Sequence, residues 1–257
     1  MAFRIKVFSR DTVPTEAQLL GGAERFMLLA ERHRVGIIVG VVLAIVALGV
    51  VGLAIWYQYQ QAEKASVLKR EAALFYFDRP ADDPLKASER LKQAISKYRE
   101  LVQEYPRTPS AQLALYHLGN ALVQFNDIGG AIEAYKKYIA SYGSNKPMLG
   151  LVYQRLGYAY LASGDPEEAV KAFQGIVAVP GSLNKDHALL ELGKLEETRS
   201  NPEGAMSYYQ NLVKDYPNSA YAGEASVRIK ALEAKTGPRD DKENESSDAD
   251  EADSTRD

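Results

Sequence analysis

From Val35 to Trp56 the chain reads VGIIVGVVLAIVALGVVGLAIW, twenty-two residues without a charge or a side-chain amide. As a helix rising about 1.5 Å per residue this stretch is roughly 33 Å long, close to the ~30 Å of hydrocarbon in a bilayer. The apolar run is longer than a buried core helix needs. It also follows a thirty-four-residue preamble and has no small-x-small cleavage site behind it, so the pattern predicts a retained transmembrane helix over 35–57 and not a signal peptide. Trp56, Tyr57 and Tyr59 stand where an interfacial aromatic belt belongs. Tyr57 to Phe77 is expected to carry the same helix onward until the Pro80 to Pro84 stretch breaks it, making 58–84 an extended helix and linker.

Basic residues set the expected orientation. Arg25, Arg32 and Arg34 precede the span and only Lys64 follows closely, which points the N-terminal segment 1–34 to the cytoplasm and the rest outward. For a bacterial inner membrane the outer side is the periplasm. Gly36 and Gly40 form a G-x-x-x-G pair, which offers a homo-oligomeric contact between spans. Within the preamble, Thr15 to Arg34 has the spacing of an amphipathic helix with Leu19, Phe26 and Leu29 among its apolar residues.

The soluble region repeats itself. Leu118-Gly119, Leu156-Gly157 and Leu192-Gly193 are each followed at thirteen residues from the Leu by an alanine (Ala131, Ala169, Ala205) and four later by an aromatic (Tyr135, Phe173, Tyr209). Successive blocks are offset by 38 and 36 residues, and Ala94 with Tyr98 begins a partial earlier copy. With Pro106 and Pro217 as closing prolines and Gly164 as a turn glycine, this pattern resembles the tetratricopeptide repeat. That resemblance implies stacked helix pairs, with small residues letting the helices approach and large ones filling between them. The early tryptophan of that motif is Leu115, Tyr153 and Leu189 here, and its small residue after the aromatic is Tyr138, Ile176 and Leu212.

Punctuation places the helices independently. Asp165-Pro166-Glu167-Glu168, Asn201-Pro202-Glu203 and Thr108-Pro109 each supply a capping side chain ahead of a first-turn proline. Helices are therefore expected at Pro109 to Phe125, Ile128 to Tyr142, Pro147 to Ser163, Pro166 to Val179, Lys185 to Arg199 and Pro202 to Tyr216, with a capping helix at Ala220 to Lys235. The expected fold is all-α: a transmembrane helix, then a tetratricopeptide-repeat solenoid over 85–236, then a disordered acidic tail. The solenoid divides into a partial repeat 85–106, repeats near 109–146, 147–183 and 184–217, and the cap 220–235. The tail, 237–257, holds nine Asp or Glu against three basic residues and no large apolar side chain.

Composition narrows the chemistry. The formal net charge is −3, and Lys and Arg are interleaved with Asp and Glu through the body, so no basic field for nucleic acid exists. With no cysteine, disulfides, thiolate metal sites, catalytic thiols and a lipidated cysteine anchor are all excluded. No G-x-S-x-G, H-E-x-x-H, phosphate loop or G-x-G-x-x-G occurs, and His33, His117 and His187 are scattered. Neighbouring carboxylates such as Glu167-Glu168 and Glu196-Glu197 are expected as caps or solvated faces. No enzyme activity, cofactor or metal is expected; a catalyst in a helical fold is the remote alternative.

The resemblance implies a concave groove lined by the first helix of each pair. Carried over position by position, it assigns Tyr116 and Asn120 in the first block, Gln154, Tyr158 and Leu161 in the second, and His187, Lys194 and Glu197 in the third, as residues that hold a protein or peptide by apolar anchors and a few hydrogen bonds. Anchor, orientation and repeats together resemble the ancillary subunit of the bacterial Sec translocon (SecYEG). That likeness implies meeting proteins at the translocon and passing them to periplasmic chaperones. A second resemblance stays open. Leu101-Val102-Gln103-Glu104-Tyr105-Pro106 and Leu212-Val213-Lys214-Asp215-Tyr216-Pro217 are similar to repeats of the outer-membrane assembly lipoprotein and of the cell-division coordinator of the Tol-Pal system. Those families lack a retained span, and the likeness implies an envelope-assembly or division scaffold.

Overall fold

The computed structural model describes residues 31–236; the amphipathic helix expected at Thr15 to Arg34 falls mostly outside them and the acidic tail wholly so. Among the described residues all regular structure is helical. The helices are α1 (Arg34–Phe77), α2 (Pro84–Glu104), α3 (Pro109–Gln124), α4 (Ile128–Tyr142), α5 (Lys146–Ser163), α6 (Pro166–Ala178), α7 (Lys185–Thr198), α8 (Pro202–Asp215) and α9 (Ala222–Thr236). The chain divides into two units, the first ending at Gln60 and the second beginning at Gln61. In the first, the apolar stretch of α1 is the one candidate membrane span among the described residues.

In the second unit each helix from α2 onward packs on the next, and α3 also touches α5. The packed body starts earlier than residue 85. Ala72 and Tyr76, on the last turns of α1, are buried in the same apolar cluster as Leu91, Ala94 and Tyr98 of α2, so the region read as extended helix and linker contributes a packing face. Only the segment between Phe77 and Pro84 is a true connection.

The local chemistry explains why the helices start where they do. At α2, α3, α4, α6 and α8 an Asp, Thr or Asn side chain accepts from a first-turn backbone N–H: Asp83 from Lys86, Thr108 from Ala111, Asp127 from Gly130, Asp165 from Glu168 and Asn201 from Gly204. Four of these helices also open on proline, whose missing N–H is no loss at that position.

Their ends obey a second rule. Eight residues after the leucine of each Leu-Gly pair the backbone turns left-handed, at Asn126 (φ 63°), Gly164 (φ 80°) and Ser200 (φ 57°). The next residue then donates its N–H back across the last turn, Asp127 to Leu122, Asp165 to Tyr160 and Asn201 to Glu196, each at 2.9 Å. Glycine fills this position in one block only, which is why the sequence shows a turn glycine in the middle repeat alone.

The pairs are held by a ring lying on a glycine. A Cβ added to Gly119 would collide with the Tyr135 ring, one on Gly157 with Phe173 (2.8 Å) and one on Gly193 with Tyr209. Those three rings are fully buried. Two of them reach through to the other face: the Tyr135 hydroxyl donates to Asn120 at 2.7 Å and the Tyr209 hydroxyl to Glu197 at 2.5 Å. Tyr98 has no glycine opposite, because the connection before α2 is longer; it lies against Tyr76 and stacks on His117, with ring centroids 5.8 Å apart.

Two predictions follow from this packing and are read by chemical unfolding of the full chain in detergent. Gly193→Ala should destabilise by about 1–3 kcal/mol, the cost of overpacking a filled site. Gly129→Ala, with open space around it, should be neutral or stabilising by up to about 1 kcal/mol through helix propensity. Equal effects at the two sites would show that ring and glycine are not in contact. Ser200→Gly should stabilise by about 1 kcal/mol by relieving a left-handed serine, whereas Gly164→Ala should cost a similar amount.

Candidate functional site

The wall formed by the first helices of the blocks carries the candidate site. Counted from the leucine of each Leu-Gly pair, positions −5, −2, +2 and +5 fall along one helical face. The expected residues occupy this face, and the structure gives each a definite state.

In the first block, Tyr116 is half-buried against the core and its hydroxyl acts on the Arg155 guanidinium of α5, helping to raise it above its ordinary value. Asn120 is held by the Tyr135 hydroxyl. Beside them lies a hollow of about 250 Å³ whose rim includes Asn120, Val123, Gln124, Arg155 and Tyr158. In the second block, Gln154 and Tyr158 both turn toward His187, at 2.9 and 3.1 Å from its two ring nitrogens. Leu161 is drawn partly into the core beside Phe173.

The third block is a network of paired charges. Lys194 lies 3.2 Å from both Glu191 and Glu224, and Arg228 of α9 reaches Glu197 at 3.1 Å and Glu224 at 3.0 Å. Burial works to raise the Glu224 carboxyl, but hydrogen bonds from Lys194 and Arg228 outweigh it and hold the group below its ordinary value. Burial first, and the neighbouring Glu197 second, raise the Tyr209 hydroxyl. Burial, with Glu191 adding, pushes Tyr158 up to about 12. These phenols therefore stay protonated at neutral pH and do not act as bases.

One expectation about this region is overturned. Glu196 is not on a solvated face: it is buried, accepting from Arg199 at 3.1 Å and Asn201 at 2.6 Å, and Arg199 also pairs with Glu167. The charge would be untenable there without those donors. Glu167 and Glu196 thus join the start of α6 to the end of α7.

The sequence reading missed part of the wall. His187 sits five residues before its Leu-Gly leucine, and the same position in the other blocks is Leu113 and Leu151, 37% and 40% exposed. Five residues after the leucine, beside Leu161 and Glu197, the first block has Val123, 38% exposed. The spacing that selected His187 would have found all three. Arg155 was missed because it adjoins a register position without occupying one. The resulting wall is apolar and aromatic over α3 and α5, and charged but internally paired over α7 and α9. Among the described residues no group of three or more His, Asp or Glu converges as metal ligands do.

The chain matches the family model of the tetratricopeptide repeat-like domain over residues 32–180 and that of the tetratricopeptide repeat over residues 155–220. Comparison with curated proteins gave no match. Among solved structures it is similar to YrrB, a TPR protein with an unusual peptide-binding site (20% identity over 61% of this chain and 74% of that one, TM-score 0.45). It is also similar to pilF of Pseudomonas aeruginosa (18% identity, 63% and 66% covered, TM-score 0.44) and to MamA (18% identity, 69% and 97% covered, TM-score 0.47). With three ring-on-glycine helix pairs in register and a family match across more than half of its 257 residues, the chain belongs to the tetratricopeptide repeat-like family.

Proposed function

We propose that this chain is a membrane-anchored adaptor that holds segments of other proteins against the wall of α3 and α5. Tetratricopeptide repeats indicate a protein–protein interaction scaffold, and the observation that carries the finer reading is the set of exposed apolar side chains on one wall: Leu113, Val123, Leu151 and Tyr158, each between 37% and 40% exposed. Apolar groups that recur at fixed register on adjacent helices make a contact surface, unlike scattered single ones. An extended or helical segment laid along them gains burial at about 25 cal/mol per Å², while Asn120, Gln124 and Arg155 offer polar contacts at the hollow between them. The adaptor does no chemistry of its own.

Anchoring rests on the apolar half of α1, and the family match, which begins at residue 32, takes in that helix with the repeats. The charge bias around the span supports an outward-facing repeat domain on the periplasmic side of a bacterial inner membrane. In that setting the partners are proteins leaving the Sec translocon and the chaperones that receive them, as the architecture suggested. A second reading, an envelope-assembly or division scaffold, draws on the two similar strings: Tyr105 and Tyr216 end α2 and α8 with the same backbone (φ −128° and −132°), each donating to the leucine that opens its string. Gly36 and Gly40, open on the surface of α1, are the proposed contact between spans if the protein self-associates.

Photo-crosslinkers introduced at Leu151 and Tyr158 in intact cells should trap proteins, and one at exposed Lys136 on α4 should trap at least about fivefold less, the contrast expected between an apolar contact patch and ordinary surface. Trapping of equal strength at Lys136 would refute the wall as the binding face. The species trapped separate the two readings: translocon components and chaperones, or assembly and division factors. The anchor is tested apart from the wall. Full-length protein should remain in the membrane pellet through alkaline extraction and lose its repeat domain to protease added from outside, while a variant lacking 35–57 should be released; a full-length chain found in the supernatant would sink the anchor.

A further inference from the structure

Four side chains on the wall form a chain of hydrogen bonds with a single direction. Ser182 Oγ donates to Asn184 Oδ1 at 2.9 Å; Asn184 Nδ2 donates to Gln154 Oε1 at 3.1 Å and to the Gly150 carbonyl at 3.3 Å; Gln154 Nε2 lies 2.9 Å from His187 Nδ1. The direction is fixed at its origin. A backbone carbonyl only accepts, so Asn184 must turn its amide nitrogen toward Gly150, and Gln154 must then turn its own nitrogen toward the histidine. His187 Nδ1 is therefore the acceptor. Its proton sits on Nε2, 3.1 Å from the Tyr158 hydroxyl.

Other features are given over to this chain. Asn184 occupies the N-cap of α7 yet makes no capping hydrogen bond, unlike the capping side chains of α2, α3, α4, α6 and α8. Gly150 leaves the space that Ser182 and Asn184 enter, since a Cβ there would overlap both. The chain thereby joins the loop before α7, the N-terminal half of α5 and the first turn of α7.

We infer that His187 is a proton-operated latch: neutral, it closes the chain that holds the second repeat block against the third, and protonated, it opens that junction of the wall. A proton on Nδ1 places a donor against the Gln154 amide, and the chain cannot reverse because Gly150 holds Asn184 in place. The groups around the ring divide the two sides. Toward α5 stand the Gln154 amide, whose Nε2 is a donor that repels a proton on Nδ1, and the Tyr158 hydroxyl, which can accept from Nε2 in either state. On α7 are Asp186, whose carboxylate takes bonds from its neighbour's N–H and from Ser219, and Glu191, 3.9 Å from Nε2 and shared with Lys194. From the segment before α9 the Tyr221 ring packs at 4.9 Å, and Glu224 of α9 bears on the site through Lys194. Protonation therefore repels the ring from α5 and draws it to the carboxylates of its own helix. Two resting places follow from one proton.

Burial holds His187 below its ordinary value, opposed by Glu191 and reinforced by Lys194. The sign is then determined. Above about pH 6.5 the ring is neutral in closed and open states alike and the latch contributes fully; as pH falls below that, the open state takes up a proton the closed wall resists, and the contribution is lost through the closed-state value. A wall facing outward meets the pH of its surroundings, so the latch regulates the binding surface proposed above. Its consequence for partners rests on that reading, but its existence does not.

The test uses the full chain in detergent, with no partner present. Carbon-13 labelling of histidine gives three signals, and that of His187 should titrate below the ordinary histidine value. Between about pH 7.5 and 5.5, after correction for intrinsic exchange, backbone amides of residues 150–158 and 182–188 should exchange several-fold faster, up to the ceiling of about tenfold that coupling of one proton to local opening sets over this range, while those of 84–104 stay unchanged. His187→Gln should abolish that acid response, and His117→Gln, which removes the other half-buried histidine, should leave it intact. A His187 signal titrating at or above the ordinary value, an equal acid response in His187→Gln, or a uniform change along the repeats would each overturn the latch. Crosslinking at Leu151 that succeeds while these readings fail would reject the latch and leave the adaptor standing.

Discussion

The approach of two helices to within the thickness of one aromatic ring governs this molecule. Gly119, Gly157 and Gly193 have nothing to place between the backbone and the ring of Tyr135, Phe173 or Tyr209, so each pair closes to contact over that spot. Steric exclusion of this kind is unforgiving in one direction and silent in the other, since a glycine with open space around it accepts a methyl group without strain. The same closeness lets a side chain rooted on the second helix emerge on the far side of the first. Tyr135 and Tyr209 do so, and their hydroxyls fix Asn120 and Glu197 on the wall. Packing and surface chemistry are in these two blocks the work of one residue. In the middle block Phe173 carries no hydroxyl, and there the wall is organised instead by His187 from the neighbouring block.

What the sequence made legible follows from which interactions are local. Helix starts were readable at Asp165, Asn201 and Thr108 because a cap and a first-turn proline lie within four residues of each other. The Leu-Gly, alanine and aromatic register was readable because each block repeats it. The left-handed turn residues were legible only where glycine marked one; Asn126 and Ser200 do the same job without announcing it, since their conformation is imposed by the backbone bonds of the turn. The early boundary of the packed body was hidden because Ala72 and Tyr76 lie on a helix whose apolar beginning dominated its pattern, and because the longer connection before α2 takes Tyr98 out of register with any glycine.

The wall itself was half legible. Register found its face but not its state, because whether Gln154 or Lys194 is free depends on side chains thirty residues away in the chain, such as Asn184 and Glu224. Glu196 shows the limit from the other side: a carboxylate beside another carboxylate on a helix reads as solvent-facing, and only the convergence of Arg199 and Asn201 makes its burial tolerable. Leu113 and Leu151 went unread for a different reason, since leucine on an amphipathic helix is taken for core until its exposure is measured.

The division of the wall has a consequence for how it can bind. Over α7 and α9 the basic groups Lys194 and Arg228 already have carboxylate partners, so a ligand there must break ion pairs before making its own, and the exchange gains little. Over α3 and α5 the exposed groups are mostly apolar, and covering them releases water without breaking anything. Affinity should therefore come from the first two blocks and be tolerant of sequence, the behaviour suited to holding many different segments. The junction between the halves lies at His187, where the neutral hydrogen-bond chain meets the first of the paired charges. On the proposed reading, a proton delivered there would act at the boundary between the part of the wall that binds and the part that mainly holds it in shape. From that position a local titration would change the spacing of two blocks without touching the rings on their glycines.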